Sequence, residues 1–266
     1  MKAILNDLLA EQSLVDSLVD NLTEQQWQEV IKPMGLQEEI PGLWTIKDEI
    51  IHIALFDEAA GKLILGEAES LGDANPPGTH DEFYRCPEKR NMSKAEVLSW
   101  WRQVRTKMNW ALYNSDPKAR IPWAPNLPMS AKSLASARLM ELWAHSTDVY
   151  DHLKIPVKVA ERIVHTLFLS WQARPNSYRI HGVEMPDTPI YLELVLPSGQ
   201  IWSKGTAGAQ QYIKGKAKDW AMVAIRRRNW LDTDLVVVGD EARRYASFVQ
   251  AYAGKADEAP PRQRMR

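Results

Sequence analysis

A single cysteine, Cys86, stands in the 266 residues of this chain. One thiol cannot build a disulfide framework or a cysteine-based zinc site. The chain also lacks any apolar run near the roughly 18 residues needed to cross a bilayer. It has little excess of either charge: 33 Lys and Arg stand against 34 Asp and Glu, for a formal net charge of -1. No global field therefore recruits nucleic acid or an anionic membrane. The opening MKAILNDLLAEQ turns acidic and polar too early for a secretory h-region, so a soluble cytoplasmic protein is expected. There is no internal repeat, and no feature that sets an oligomeric state.

Apolar residues make up 45% and charged residues 25%, the ordinary balance of a folded domain. Eleven tryptophans are many for this length, and such rings line cores and apolar pockets. The stretch that organises the chain is 130–153, SAKSLASARLMELWAHSTDVYDHL. It has no proline or glycine and is rich in Ala, Leu, Met and Glu, which predicts a helix. Steps of three and four along it collect Leu134, Arg138, Glu141, His145, Asp148 and His152. That spacing is the seam a bundle helix turns toward its neighbours, yet here it is mostly polar. An ionisable row facing a core is costly unless something pairs it.

The rest of the chain reads in order. A first amphipathic helix covers 3–22, and a short second one begins at the capping-box spacing of Thr23 and Gln26. After a loop over 32–43, Thr45 caps a helix running to about residue 70, with Asp48 and Glu49 at its positive end. A long loop over 72–91 has the character of a lid or site wall. Ser93 and Glu96 open a Trp-rich helix to about residue 113, a proline-rich loop covers 114–129, and one more helix follows the central one at 157–172. Beyond Arg174 the pattern changes to a hairpin over 191–203, a helical stretch at 207–230, a strand at 235–238 and a final helix at 241–252. The expected fold is mainly α: a four-helix bundle at 1–173, a small α+β domain at 174–254, and a disordered tail at 255–266.

Glu141 and His145 lie one turn apart on one helix face, and His52 sits at the buried stripe of another helix. Two imidazoles and a carboxylate make an open three-ligand site of the catalytic zinc type. The alternative is that each is a satisfied core or surface residue, because E-x-x-x-H pairs also arise by accident.

WTIKDEIIHIALFDEAA at 44–60 resembles the second helix of the DinB-like superfamily, specifically relatives of mycothiol-dependent maleylpyruvate isomerase. There a Trp-[ST]-x-x-[DE] start precedes a metal-binding histidine, matched here by Trp44, Thr45, Asp48 and His52. MELWAHSTDVYDHL at 140–153 resembles the later E-x-x-x-H helix of those proteins, and LPSGQIW with DTDLVVVGD resembles their small sterol-carrier-like domain. The resemblance implies a DinB-like bundle, metal ligands at His52, Glu141 and His145, and a divalent ion, zinc or alternatively nickel. It further implies mycothiol or another small thiol as co-substrate. A bound metal lowers the pKa of a thiol or water at its open position. The implied chemistry is thiolate addition to, or transfer onto, a small electrophilic and anionic substrate. The resemblance also implies that a small-domain arginine assists, for which Arg227 of the Arg226–Arg228 cluster is the choice.

Other residues are weighed beside these. Asp148, one turn beyond His145, is placed to hold its second ring nitrogen; the alternative is a solvated carboxylate. Asp57 and Glu58 read as a helix-face pair, His152 as too distant to share an ion, and His80 as a solvated loop histidine before one that reaches a site below it. His165 and His181 carry no distinguishing context, Cys86 reads as an ordinary thiol, and the arginine cluster reads otherwise as a solvated basic face. The competing functions are a metal-dependent hydrolase acting through water and a non-catalytic small-molecule or lipid-binding protein.

Overall fold

Two side-chain caps decide where the long helices of the amino-terminal half begin. Thr45 accepts from the Asp48 backbone N–H while Asp48 accepts from the Thr45 N–H, and α3 (Ile46–Ile64) starts on that reciprocal pair. Ser93 and Glu96 do the same for α6 (Lys94–Asn114). The computed structural model describes residues 1–31, 44–74, 87–124 and 127–262. The chain divides into two units, and among the described residues the division falls after Leu153.

The first unit contains α1 (Lys2–Asp20), α2 (Glu24–Trp27), α3, the short α4 (Leu71–Ala74) and α5 (Pro87–Arg90), α6, and α7 (Ala131–His152). The four long helices α1, α3, α6 and α7 form the bundle, α3 packing on α6 and α7, and α1 on α7 and α6. Val15, Trp27, Ile50, Ile53, Trp101, Leu142 and Val149 belong to one core cluster. Ile4, Leu8, Ala59, Leu63, Met108, Leu134 and Leu139 belong to another. The start of α3 is tied down from outside: Ile31 N–H donates to the Trp44 carbonyl at 2.8 Å and Arg90 pairs with Asp48 at 3.1 Å. Replacing Thr45 with alanine should cost about 1 kcal/mol of stability, the ordinary worth of such a cap. Urea unfolding measures this; an unchanged midpoint would mean that the Arg90 and Trp44 contacts hold the helix start unaided.

The helix expected to reach residue 70 stops at Ile64. Gly66 takes a φ of 69°, and its N–H and that of Glu67 turn back onto the Leu63 and Lys62 carbonyls, a left-handed stop that glycine permits. The expected loop at 114–129 contains a hairpin of β1 (Arg120–Ala124) and β2 (Leu127–Ser130). Pro122 lies where its register shifts, between Ile121 and Ala124. Prolines argue against central strands, but a two-stranded ribbon has only edges. The middle of the expected lid loop, including His80 and Cys86, lies outside the described residues.

The second unit begins with a 3₁₀ turn (Glu161–Ile163), α8 (Val164–Gln172) and α9 (Arg174–Ile180). Then follow β3 (Ile190–Val195), β4 (Ile201–Gly205), β5 (Gln211–Lys216), α10 (Ala217–Ala224), β6 (Val236–Val238) and α11 (Asp240–Phe248). The sheet order is β4-β3-β5-β6, with β3 and β5 parallel and the other pairs antiparallel. The protein is thus mainly α with a small α+β part, and the hairpin expected at 191–203 is β3 and β4.

Several boundaries differ from expectation. The stretch 207–230 is not one helix: 211–216 forms β5 between β3 and β6, and only 217–224 is helical. The helix at Arg174 was hidden by Pro175, which occupies its first turn, where a missing N–H costs nothing. The division into compact units falls after Leu153, and α8 packs in the second core: Trp220 Nε1 donates to Ser170 Oγ and Tyr245 Oη to the Ser170 carbonyl, both at 2.9 Å. The tail is held at least to Pro260, whose carbonyl accepts from Asn229 Nδ2 at 2.9 Å, while Asp257 N–H donates to Gln250. Among the described residues no helix is long and apolar enough to cross a membrane.

Candidate metal centre

On α3, steps of three and four bring Glu49, His52 and Phe56 to one face. On α7, capped by Ser130 accepting from the Ser133 N–H at 3.0 Å, the same steps align Arg138, Glu141, His145 and Asp148. Arg138, His145 and Asp148 are buried and Glu141 is partly exposed, so the polar seam does turn inward. Across the two helices, one ligand atom each from His52, Glu141 and His145 lies within 4.8 Å of the others. His145 Nε2 stands 3.5 Å from a Glu141 oxygen. The His52 and His145 rings are 4.5 Å apart, centroid to centroid.

The opposite edge of His145 meets a residue that the sequence places on the His52 face but assigns no part in the site. Glu49, fully buried, accepts from His145 Nδ1–H at 2.5 Å. Asp148, expected in that position, belongs to the same buried group: Glu49, His145 and Asp148 offer ligand atoms within 4.8 Å of one another. The signal that could have found Glu49 is its place three residues before His52, on the same face of α3. Aromatic rings complete the surroundings. Trp44 and Phe56 lie 5.9 and 4.7 Å from the His52 ring, and β1 brings Trp123 to 6.1 Å from Phe56.

The other candidates are elsewhere engaged. Asp57 is no helix-face residue: it is buried, paired with Arg138 at 2.9 Å and accepting from Trp101 Nε1 at 3.1 Å. Glu58 does face outward, paired with Lys62 at 2.9 Å. His152 pairs with Glu29 at 2.8 Å. His181 stacks on Phe248 within the second unit. The arginine cluster is not a solvated face, since Arg226 and Arg227 are buried; Arg227 Nη1 donates to the Ile225 carbonyl at 2.9 Å. Arg226 closes α10 with a φ of 60° and donates to the Ser247 carbonyl at 2.8 Å.

The electrostatics favour a cation. Burial alone would depress the His145 pKa, but Glu49 and then Glu141 outweigh it and push it up to about 9. Three carboxylates, Glu49, Glu141 and Asp148, gather around this ring. One Glu49 oxygen is buried with no hydrogen-bond partner among the described residues. Donors about 2.0–2.1 Å from a tetrahedral zinc stand roughly 3.4 Å apart, close to the His145–Glu141 separation. The residues present therefore fit a divalent ion in both charge and spacing.

A helical bundle with two histidines and a carboxylate converging from two of its helices, followed by a small α+β unit, defines the class. The chain belongs to the mycothiol maleylpyruvate isomerase N-terminal domain family, whose model matches residues 8–150. That span contains Glu49, His52, Glu141, His145 and Asp148. Two relatives, the uncharacterized proteins MT0041 and Rv0036c from two strains of Mycobacterium tuberculosis, are each 32% identical over 253 residues, covering 93% of this chain and 94% of theirs. The fold is similar to the crystal structure of the mycothiol-dependent maleylpyruvate isomerase, with a TM-score of 0.60 at 14% identity over 98% of this chain and 96% of that one. A variant of that enzyme with a histidine replaced by alanine matches at a TM-score of 0.59 and 14% identity, over 85% of this chain and 89% of its own.

Proposed function

We propose that this protein is a metal-dependent enzyme that uses a low-molecular-weight thiol of the mycothiol type to isomerise, or to transfer onto, a small electrophilic substrate. The observation carrying this reading is the convergence of His52, Glu141 and His145, with ligand atoms within 4.8 Å, inside the region that matches the isomerase family. His52 and His145 would each give an imidazole nitrogen and Glu141 a carboxylate oxygen, a donor set suited to zinc, with nickel the alternative. A divalent ion held there supplies an open position at which a thiol is a thiolate at neutral pH.

The chain's own residues do the rest. Partly exposed His52 and Glu141 mark the side from which small molecules approach. Trp44 and Phe56 flank the His52 ring, and with Trp123 they form an apolar wall limiting water on that flank. Asp148 adds a second carboxylate beside His145. Arg227 enters this reading as the anchor for a substrate carboxylate. In the isomerisation that the family name implies, a thiolate adds to the cis double bond of maleylpyruvate. The new single bond turns, and loss of the same thiolate leaves the trans product, so the thiol is regenerated.

Purified protein should carry a single divalent ion per chain by plasma mass spectrometry, and the loaded protein should turn over maleylpyruvate only with mycothiol added. Turnover of an ester or amide without thiol would instead make it a hydrolase. Failure to bind any divalent ion would sink the enzymatic reading.

A further inference from the structure

We infer that Glu49 is a positioning residue for the metal centre: as an anionic acceptor on His145 Nδ1, it aims Nε2 of that ring at the ion and strengthens it as a ligand. The inference rests on the metal reading above but concerns a residue outside the proposed ligand triad.

Four observations carry it. Glu49 is fully buried, with Oε2 2.5 Å from His145 Nδ1. A hydrogen bond there fixes the tautomer, because a carboxylate that accepts at Nδ1 leaves Nε2 to present its lone pair. Nε2 is the nitrogen on the Glu141 side, at 3.5 Å. Glu49 also lies in the first turn of α3, three residues before His52 and on the same face of that helix. Finally, its other oxygen is buried with no hydrogen-bond partner among the described residues, so little besides His145 engages this carboxylate. As a purely structural element this is poor design, since a buried carboxylate left half-satisfied costs stability that an apolar residue would not. As a device that raises the basicity of a ligand, the undispersed charge is an advantage.

Asp148 is the competitor for this role, being in the same buried group. The direct bond to Nδ1 belongs to Glu49. The test compares Glu49→Gln, which keeps shape and acceptor but removes the charge, with Glu49→Ala and Asp148→Asn, using zinc as the ligand. Competition against a chromophoric chelator gives the zinc Kd, cobalt substitution gives a visible spectrum of the coordination sphere, and circular dichroism verifies the fold. E49Q should weaken zinc about 10–100-fold, the usual worth of a carboxylate behind a histidine ligand, and shift the cobalt spectrum. E49A should weaken zinc at least as much, and Asp148→Asn less than either. Urea unfolding of metal-free E49Q gives its folded fraction, against which any loss of affinity is corrected. If the parent binds zinc and E49Q binds it within twofold of the same Kd with an unshifted spectrum, the inference is overturned and the metal reading stands. If E49Q loses zinc only in proportion to lost folded protein, Glu49 is structural and the inference also fails. A parent that binds no zinc overturns both.

Discussion

Replacing His145 with alanine should strip the protein of its divalent ion and destabilise the metal-free fold by about 3–5 kcal/mol, the cost of removing one partner from a buried charged pair. Both effects follow from the position of one ring. On its Nε2 side His145 faces Glu141 at 3.5 Å and shares a cluster with His52; on its Nδ1 side it donates to Glu49. Without the imidazole, a proposed site of three protein ligands keeps two, and Glu49 is left fully buried with neither oxygen bonded to that ring. Glu141 has a different prospect. Its side chain is 27% exposed and can be solvated, so Glu141→Ala should lose metal with much less effect on the fold. Metal content and denaturant unfolding of the metal-free forms separate the two. A His145→Ala protein as stable as Glu141→Ala would show that the Glu49 bond contributes little. One that retains stoichiometric metal would remove His145 from the site.

What the sequence made legible follows from how local each signal is. The caps at Thr23, Thr45 and Ser93 are three-residue patterns, and all three form the reciprocal bonds their spacing implies. The inward turn of Arg138, His145 and Asp148 was likewise readable from helical periodicity. Glu49 was legible only as a neighbour of His52 on one face of α3: an acidic residue in a first helical turn already has a local explanation in the dipole, and its bond to a residue 96 positions away has no sequence signature. Asp57 misled for a similar reason: beside Glu58 it reads as part of a charged face, while its partners Arg138 and Trp101 come from α7 and α6. In the second unit the errors were of pairing. YIKGK at 212–216 is too short to announce itself as a strand, and it becomes one because β3 and β6 lie on either side.

The largest effect expected away from the metal ligands is at Arg138. This residue and Asp57 sit on α7 and α3 where the two core clusters meet: Leu55 belongs to one and Ala59 to the other, as Leu142 and Leu139 do across the way. Arg138 Nε donates to Asp57 at 2.9 Å, its Nη2 donates to the Ile53 carbonyl at 3.2 Å, and the guanidinium lies 5.9 Å from the Phe56 ring centre. Burial raises the Asp57 pKa above its ordinary 3.8, and Arg138 is the main influence holding it down. Arg138→Met keeps much of the volume but strands the carboxylate, and should cost about 3–5 kcal/mol at neutral pH. The sign of the pH dependence follows. Without the guanidinium, Asp57 is raised further, so the folded protein holds a proton that the unfolded chain releases near 3.8. Stability of the variant then falls as pH rises from that value to the raised folded pKa, and its deficit is smallest in acid. Adding Asp57→Asn removes the stranded charge while keeping an acceptor for Trp101 Nε1, and should recover most of the loss. Because Phe56 packs on His52 and Glu141 follows Arg138 by one turn, the double variant should also regain whatever metal affinity the single one loses. Urea unfolding of parent, single and double variants from acid to pH 8 tests this directly. A single variant as stable as the parent at pH 8, or one whose deficit deepens in acid, would show that Arg138 does not hold Asp57 ionised.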